Sequence, residues 1–333
     1  MAARLLPAAL FVLCAAPAPR AGAEDPAARE VAFHGYTKAV ELKLGKTRAV
    51  LCPQAGGRVL EFSVGGIDAM YLEEGEKKWQ PGKNGPISAG RFDYGPELTV
   101  APHPKAWAGE WTAEITKANT VRMTSPREDA GIQLVREFRL VPHGDAVGLS
   151  CKQTMTNVGK ATREVCHWGR SFSPGGGICV VPLGDRPSRF PGKYAMYEEG
   201  AVINVRNADD KIRERDGFLE ILAPPRKPKL GFDTYAGWLA YLMPNDMVFV
   251  KRFPTYPDRV YNEAAGLTLS VWYPPGARIE LEPIGPRERL KPGESASFTE
   301  DWWLLPHPYP KPGEKTDLKA LAEKVEKQTA VSK

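Results

Sequence analysis

Clusters of glycine and proline recur along this chain about every 8 to 15 residues, and they limit the length of any regular element between them. Examples are PQAGGR, VGGID, QPGKNGP, YGPE, TNVGK, SPGGG, YPPG and KPGES. The runs between these clusters are short and either alternate apolar with polar residues or are rich in β-branched residues, which is typical of strands. The spacing therefore predicts an all-β protein, a sandwich or a barrel.

One segment near the C-terminus departs from this pattern. The run DLKALAEKVEKQ places Leu318, Leu321 and Val325 along one face of a helix. We expect this helix to lie on the outside of the sheets, within a C-terminal helical tail of residues 311–333.

The N-terminus has the pattern of a secretory signal. Arg4 precedes an apolar run from Leu5 to Ala16, and small residues follow up to Ala23. A bilayer span needs about 20 apolar residues, so this run is too short to be one, and no other stretch approaches that length. The pattern predicts a signal peptide over residues 1–23, cleavage near Ala23, and a secreted or periplasmic protein without a membrane span.

Charge and length narrow the class of protein further. The chain has 45 basic and 40 acidic residues. Without the two arginines of the signal the mature chain is nearly neutral, and its charges are spread evenly. A nucleic-acid partner is not expected, because such proteins carry a basic stripe. We predict a single β-sandwich domain over residues 24–310.

Four cysteines follow the signal, at positions 52, 151, 166 and 179. Export makes disulfides possible, but four cysteines allow three pairings. If VGLSCKQTMTNVGKATREVCHWGRS forms a hairpin in which Thr156 faces Ala161, then Cys151 lies opposite Cys166. A disulfide and two buried free thiols both fit this register.

The same hairpin register assigns side chains to faces. Cys166 and Trp168 are expected on the apolar core face, and His167 on the opposite, polar face. In RIELEPIG, Arg278, Glu280 and Glu282 likewise share one face of a strand. The two carboxylates lie about 7 Å apart along that strand, close enough for one to raise the pKa of the other. A solvated edge strand is the alternative interpretation.

A third segment concentrates residue types that bind sugars. Residues 88–115 contain aromatic side chains, which stack on the C–H face of a sugar ring, and charged side chains, which bind its hydroxyl groups. These are Arg91, Asp93, Tyr94, Glu97, His103, Trp107 and Trp111.

Several motifs together resemble the galactose mutarotase-like superfamily, the aldose 1-epimerases and their relatives. CPQAGGRVLEFSVGGIDAMYL is similar to the N-terminal strands of that superfamily, and HPKAWAGEW to the segment of its first active-site histidine. TNVGKATREVCHWGRSF resembles the segment of the second histidine, and RIELEPIGPRERLKPGESASFTEDWWL the strand of the catalytic glutamate. Uncharacterised secreted bacterial members are the most similar in character.

This resemblance implies a large two-sheet antiparallel β-supersandwich with a polar groove for a mono- or oligosaccharide. It implies that Glu282 takes a proton from the anomeric hydroxyl, that His167 protonates the ring oxygen, and that His103 orients the sugar. The expected substrate-binding residues are Arg91, Trp107, Trp168, Glu280 and Arg278. The expected reaction interconverts sugar anomers, and no metal or organic cofactor is expected.

Two alternatives stay open at this point. The first is a polysaccharide lyase or hydrolase that acts on an acidic glycan through Arg91, Arg163, Arg170 and Arg278. The second is a non-catalytic glycan-binding or structural module, in which His103, His167 and Glu282 do not converge.

Overall fold

The structure is a computed structural model that describes residues 27–81, 87–199 and 202–329; the predicted signal peptide lies outside these residues. Over these ranges the strands form two antiparallel sheets, of 13 and 10 strands. In chain order the strands are β1 (Ala27–Phe33), β2 (Tyr36–Leu44), β3 (Thr47–Cys52), β4 (Arg58–Val64), β5 (Ile67–Asp68), β6 (Gly90–Gly95), β7 (Thr112–Lys117), β8 (Thr120–Thr124), β9 (Ile132–His143), β10 (Ala146–Asn157), β11 (Arg163–Pro174), β12 (Ile178–Pro182), β13 (Ala195–Tyr197), β14 (Ile203–Asn204), β15 (Ile212–Arg215), β16 (Phe218–Ile221), β17 (Lys229–Phe232), β18 (Trp238–Met243), β19 (Met247–Arg252), β20 (Leu269–Trp272), β21 (Arg278–Pro283), β22 (Glu288–Leu290) and β23 (Ser295–Pro306).

The larger sheet, called the large sheet below, has the order β1-β2-β3-β4-β6-β11-β21-β20-β17-β13-β14, with β5 beside β4 and β22 beside β11. The small sheet has the order β15-β16-β12-β18-β19-β23-β10-β9-β8-β7. The predicted two-sheet antiparallel β-sandwich is confirmed.

An apolar core fills much of the space between the sheets. Phe92 of β6 stacks on Trp302 of β23 with ring centroids 5.4 Å apart. Phe62 and Phe249 meet the same indole from the large and small sheets respectively. These rings hold the two inner faces together.

Two α-helices occur in the same ranges, α1 (Pro104–Ala108) and α2 (Leu318–Gln328), together with a 3₁₀ turn at Glu76–Lys78. The predicted C-terminal helix is confirmed as α2, and the Asp317 side chain caps it by accepting a hydrogen bond from Ala320 N at 3.0 Å. Leu318, Leu321 and Val325 are buried in a cluster on the outer face of the small sheet. No helix in the described part of the chain has the length and apolar character that a membrane span requires.

The predicted hairpin of β10 and β11 is wrong, because the two strands belong to different sheets. β10 pairs with β9 and β23, whereas β11 pairs with β6, β21 and β22. Cys151 therefore faces Phe138 and Glu300, and both Cys151 and Cys166 are free thiols. The connection is a corner between sheets, held by the Asn157 amide, which donates to the Ala161 and Leu290 carbonyls at 2.8 Å each.

The face predicted for His167 is wrong for the same reason. His167 points between the sheets and is 1% exposed. Trp168 is buried as predicted, but on the opposite face, in a separate cluster with Phe190 and Leu267. The prediction that His167 and Trp168 lie on opposite faces of the strand is correct. The assumption that the polar residue faces away from the core is wrong, because this part of the space between the sheets is polar.

That polar region is a buried network centred on Glu300 of β23. His167 Nε2 lies 2.6 Å from one carboxylate oxygen, and Lys251 Nζ lies 2.8 Å from the other. Gln153 Nε2 lies 3.3 Å from His167 Nδ1, so the hydrogen bonds fit a neutral imidazole protonated at Nε2. Gly169 makes room for this carboxylate, because a Cβ there would overlap Glu300 Oε1.

The network shifts the pKa values of Glu300 and His167. Burial alone would raise the pKa of Glu300, but Lys251 and the hydrogen bond from His167 outweigh it and lower the pKa to about 2. Burial lowers the pKa of His167, against the opposing effect of Glu300. Lys251 also donates to the Leu281 carbonyl at 3.0 Å, which ties the network to the strand β21 of the large sheet.

We expect Glu300→Gln to lower the free energy of unfolding by about 3–5 kcal/mol at pH 7, because it leaves the Lys251 ammonium buried without its counter-charge. The folded pKa of Glu300 is depressed, so its contribution is present above the ordinary pKa and is lost as pH falls towards about 2. The variant should therefore lose less stability over this acid range than the wild type. Urea unfolding followed by tryptophan fluorescence measures both effects.

Glu137→Gln is the matched control, because Glu137 pairs with the exposed Arg122 on the small sheet. Exposed pairs contribute about 0–1 kcal/mol. Equal destabilisation by the two substitutions would contradict a structural role for the Glu300 network.

Candidate functional site

Charged side chains of three neighbouring strands meet on the outer face of the large sheet, the face turned away from the small sheet. In the register of β6 and β11, Arg91 faces Arg170 and Asp93 faces Trp168. In the register of β11 and β21, Phe172 faces Glu280. Because alternate residues of a strand share a face, these side chains form one floor.

Glu280 is the acceptor at the centre of this floor. Arg91 donates to its Oε1 from Nη2, and Arg170 donates to the same atom from Nε at 3.1 Å. Burial alone would raise the pKa of Glu280, but Arg91 and Arg170 outweigh it and lower the pKa below its ordinary value. Glu280 is therefore an ionised hydrogen-bond acceptor that orients two guanidinium groups.

Glu282 lies deeper than Glu280, with no exposed surface. Lys229 Nζ reaches its two oxygens at 2.7 and 2.6 Å, and Trp168 Nε1 donates to it at 2.8 Å. Burial raises the pKa of Glu282 above its ordinary value, Lys229 opposes this, and the Glu280 carboxylate adds to it. Glu282 thus supports the floor from below.

His103 stands beside the floor, at the start of α1. Its Nε2 lies 2.7 Å from Asp93 Oδ1 and its Nδ1 lies 2.8 Å from the Ala101 carbonyl oxygen. Its ring lies 4.2 Å from that of Tyr94, centroid to centroid. Burial would lower the pKa of His103, but Asp93 outweighs it and raises the pKa, which favours the imidazolium.

A cavity of about 440 Å³, called the charged cavity below, opens above this floor. This volume falls in the usual range for small-molecule sites. Its lining combines aromatic and charged side chains: Glu73, Ile87, Arg91, Glu97, Arg170, Phe172, Tyr197, Lys229, Trp272, Arg278 and Glu280.

Each cation of the charged cavity has a carboxylate partner. Arg91 and Arg170 share Glu280, Lys229 pairs with Glu282, and Arg278 pairs with Glu73. The positive and negative charges are therefore interleaved, and the cavity presents ionic donors and acceptors side by side.

Aromatic rings complete the walls. The Arg278 guanidinium lies 5.5 Å from the centre of the Trp272 ring and 5.2 Å from that of Phe172. Trp107 of α1 covers the other side, 4.9 Å from the Arg91 guanidinium and 5.2 Å from that of Arg170. These stacks limit the motion of the arginines.

The structure brings most of the predicted site residues together. Arg91, Glu280 and Arg278 line the charged cavity, and Trp107 lies over the arginines that do so. Trp168 and Glu282 lie beneath it, and His103 stands at its side.

His167 lies on the other side of the large sheet, bonded to Glu300, so the predicted pair of Glu282 and His167 is not assembled. Arg163 lies at the far end of β11 and is not part of the lining. The catalytic roles given to Glu282, His167 and His103 remain predictions.

Sequence reasoning missed Lys229, Tyr197, Trp272 and Glu263. Lys229 precedes its partner Glu282 by 53 positions, and no local pattern joins them. Trp272 shares a face of β20 with Ser270 and lies opposite Glu280, and this placement is known only once β20 is paired with β21.

Glu263 belongs to the segment between β19 and β20 and contacts the chain just after β6, where its Oε2 accepts a hydrogen bond from Glu97 N at 2.8 Å. A Cβ at Gly95 would come within 2.8 Å of the same oxygen, so the carboxyl group packs directly on that glycine. Burial raises the pKa of Glu263 to about 7. It is therefore a carboxyl group that can hold or release a proton near neutral pH.

Within the described ranges, no group of three or more His, Cys, Asp or Glu side chains is arranged to hold a metal ion. The absence of a cofactor remains an expectation from sequence.

The chain is similar to known proteins at the level of its fold. No family model matches the sequence, and no curated protein matches it. Among solved structures, a galactose mutarotase-like protein from Lactobacillus casei ATCC 334 matches with a TM-score of 0.57 and 11% identity over 80% of this chain and 99% of that one.

A galactose mutarotase-like protein from Clostridium acetobutylicum matches with a TM-score of 0.56 and 12% identity, over 85% of this chain and 99% of that one. The Slr1438 protein from Synechocystis sp. PCC 6803 matches with a TM-score of 0.56 and 15% identity, over 84% of this chain and 100% of that one. At these identities the likeness concerns the fold, and this chain has the galactose mutarotase-like β-sandwich fold.

Proposed function

We propose that this protein binds a neutral carbohydrate in the charged cavity. The observation that carries the proposal is the cavity lining, in which paired charges form the floor and aromatic rings form the walls. Sugar hydroxyls both donate and accept hydrogen bonds, so they match a floor where Arg170 and Glu280 stand side by side. The apolar face of a sugar ring matches Trp272, which is partly exposed at the cavity wall.

The pairing of charges favours a neutral sugar over an acidic one. An anionic group would enter a cavity that Glu73, Glu97 and Glu280 also line. It would have to compete with Glu280 for Arg91 and Arg170. The acidic-glycan lyase or hydrolase is therefore less well supported than binding of a neutral sugar.

Mutarotase-type isomerisation is the second candidate function. Asp93 and Gly95 of β6 position His103 and Glu263 respectively, an imidazole that favours its protonated form and a carboxyl group that titrates near pH 7. An acid and a base of this kind are what anomer interconversion needs. Because neither side chain lines the charged cavity, isomerisation is less well supported than binding.

Export is a separate proposal that rests on the N-terminal sequence. We expect the full chain, expressed in a secreting bacterial host, to be recovered outside the cytoplasm with a mass that corresponds to cleavage near Ala23. Recovery of the uncleaved chain in the cytoplasm alone would contradict export.

We expect Trp272→Ala to weaken binding of a neutral sugar about tenfold, because an aromatic contact is worth about 0.5–1.5 kcal/mol beyond its buried area. Titration calorimetry against glucose, galactose, mannose and xylose, beside glucuronate and galacturonate, measures this. Tyr309→Ala is the control, since Tyr309 packs on the outer face of the small sheet. Tighter binding of the uronates than of the neutral sugars would overturn the neutral-sugar proposal in favour of the acidic-glycan alternative.

If the second candidate holds, the protein accelerates anomer exchange of the sugar that it binds, and Glu263→Gln lowers this acceleration about 10²-fold with little change in affinity. As the base, Glu263 must be ionised, so kcat/KM should rise as pH passes about 7. Exchange spectroscopy by NMR measures the rate. If Glu263→Gln is as active as the reference variant Glu137→Gln, Glu263 is not the base. If the wild type does not accelerate anomer exchange, the protein binds the sugar without isomerising it.

A further inference from the structure

A second cavity of about 540 Å³, called the aromatic cavity below, lies next to the charged cavity. Ile87 lines both cavities. Trp107 lines the aromatic cavity and also covers Arg91 and Arg170, which line the charged one. The two cavities therefore adjoin across Ile87 and Trp107.

The walls of the aromatic cavity include two partly exposed indole rings, those of Trp79 and Trp107, together with the ring of Tyr36. Lys78, Gln80 and Lys105, all exposed, stand around them. The aromatic cavity thus offers flat apolar surfaces with a polar rim, whereas the charged cavity offers ionic groups on its floor.

Trp79 is held in place from below. Tyr36 stacks on it with ring centroids 4.7 Å apart. The preceding turn is fixed by Glu76, whose carboxylate pairs with the buried Arg58 and accepts hydrogen bonds from Ser88 N and Oγ at 2.5 Å each. Because Glu76 and Arg58 satisfy each other's charge, the turn before Trp79 is held in one conformation. The ring of Trp79 is then a fixed surface on which a ligand can stack.

Trp107 is held by Gly56, in the loop before β4. Gly56 N donates to the Gly109 carbonyl at 2.8 Å, at the end of α1. Gly56 has a φ of +76°, and a Cβ there would overlap the Trp107 carbonyl oxygen, so a larger residue would push α1 away. Both indoles are therefore rigidly mounted, which lowers the entropy cost of stacking a ligand on them.

We propose that the aromatic cavity is a second sugar-binding position, which takes the neighbouring unit of an oligosaccharide whose first unit occupies the charged cavity. The inference rests on the proposed function and deepens it: the ligand is a neutral oligosaccharide of at least two units, not a free monosaccharide. Trp107, at the junction, contacts both units, and Trp79 contacts only the second.

The test compares monosaccharides with oligosaccharides of the same sugar, using glucose, mannose and xylose with their β-1,4-linked dimers and trimers in titration calorimetry. For the wild type we expect the dimer to bind about tenfold or more tightly than the monomer. Trp79→Ala should remove this gain and leave monomer affinity unchanged, whereas Trp107→Ala should weaken both. Trp79→Phe, which keeps an aromatic ring, should restore most of the gain.

Circular dichroism and thermal melting of each variant show whether it is folded, and Trp79→Leu, which also removes the aromatic ring, carries the comparison if Trp79→Ala is unfolded. Equal affinity of monomer and dimer for the wild type would overturn the second position while leaving the proposed function in place. Equal weakening of monomer and dimer by a folded Trp79 variant would overturn it too. If no sugar of either length binds, the proposed function fails, and this inference fails with it.

Discussion

The arrangement of the two sheets depends on the ion pair and hydrogen bond that the buried Glu300 carboxylate makes. A charge without exposed surface is tolerated only when it is paired and hydrogen-bonded. Here the partners come from both sheets: Lys251 belongs to the small sheet and His167 to the large one. Satisfying this one charge therefore fixes how β11 lies across β23.

This constraint on the inner face of β11 determines what the outer face can present. Because side chains alternate, a strand that turns His167 inward must turn Trp168 and Arg170 outward. Arg170 then meets Glu280, and Trp168 meets Glu282, on the neighbouring strand. The charged cavity is thus a consequence of the same strand orientation that completes the buried network.

The fold was predictable because turn residues limit strand length and because Leu318, Leu321 and Val325 repeat at helical spacing. Arg91, Glu280 and Arg278, predicted from the sequence to bind one substrate, line one cavity, and their role in binding stays a prediction. The orientation of His167 was not predictable, because alternation separates two faces but does not say which one is buried. A charged core violates the usual polarity rule, and pairs such as Lys229 with Glu282 arise only from tertiary contacts.

Gly169 occupies the position between Trp168 and Arg170, and its missing side chain provides the space for the Glu300 carboxylate. The inward side of β11 is thus fixed by the Glu300 network, whereas its outward side brings Arg170 to Glu280 in the charged cavity. A substitution at position 170 would change the charges that line the cavity while the Gly169–Glu300 contact stays in place. Because a Cβ at position 169 would overlap Glu300 Oε1, only glycine there allows one strand to complete the buried network on one side and line the charged cavity on the other.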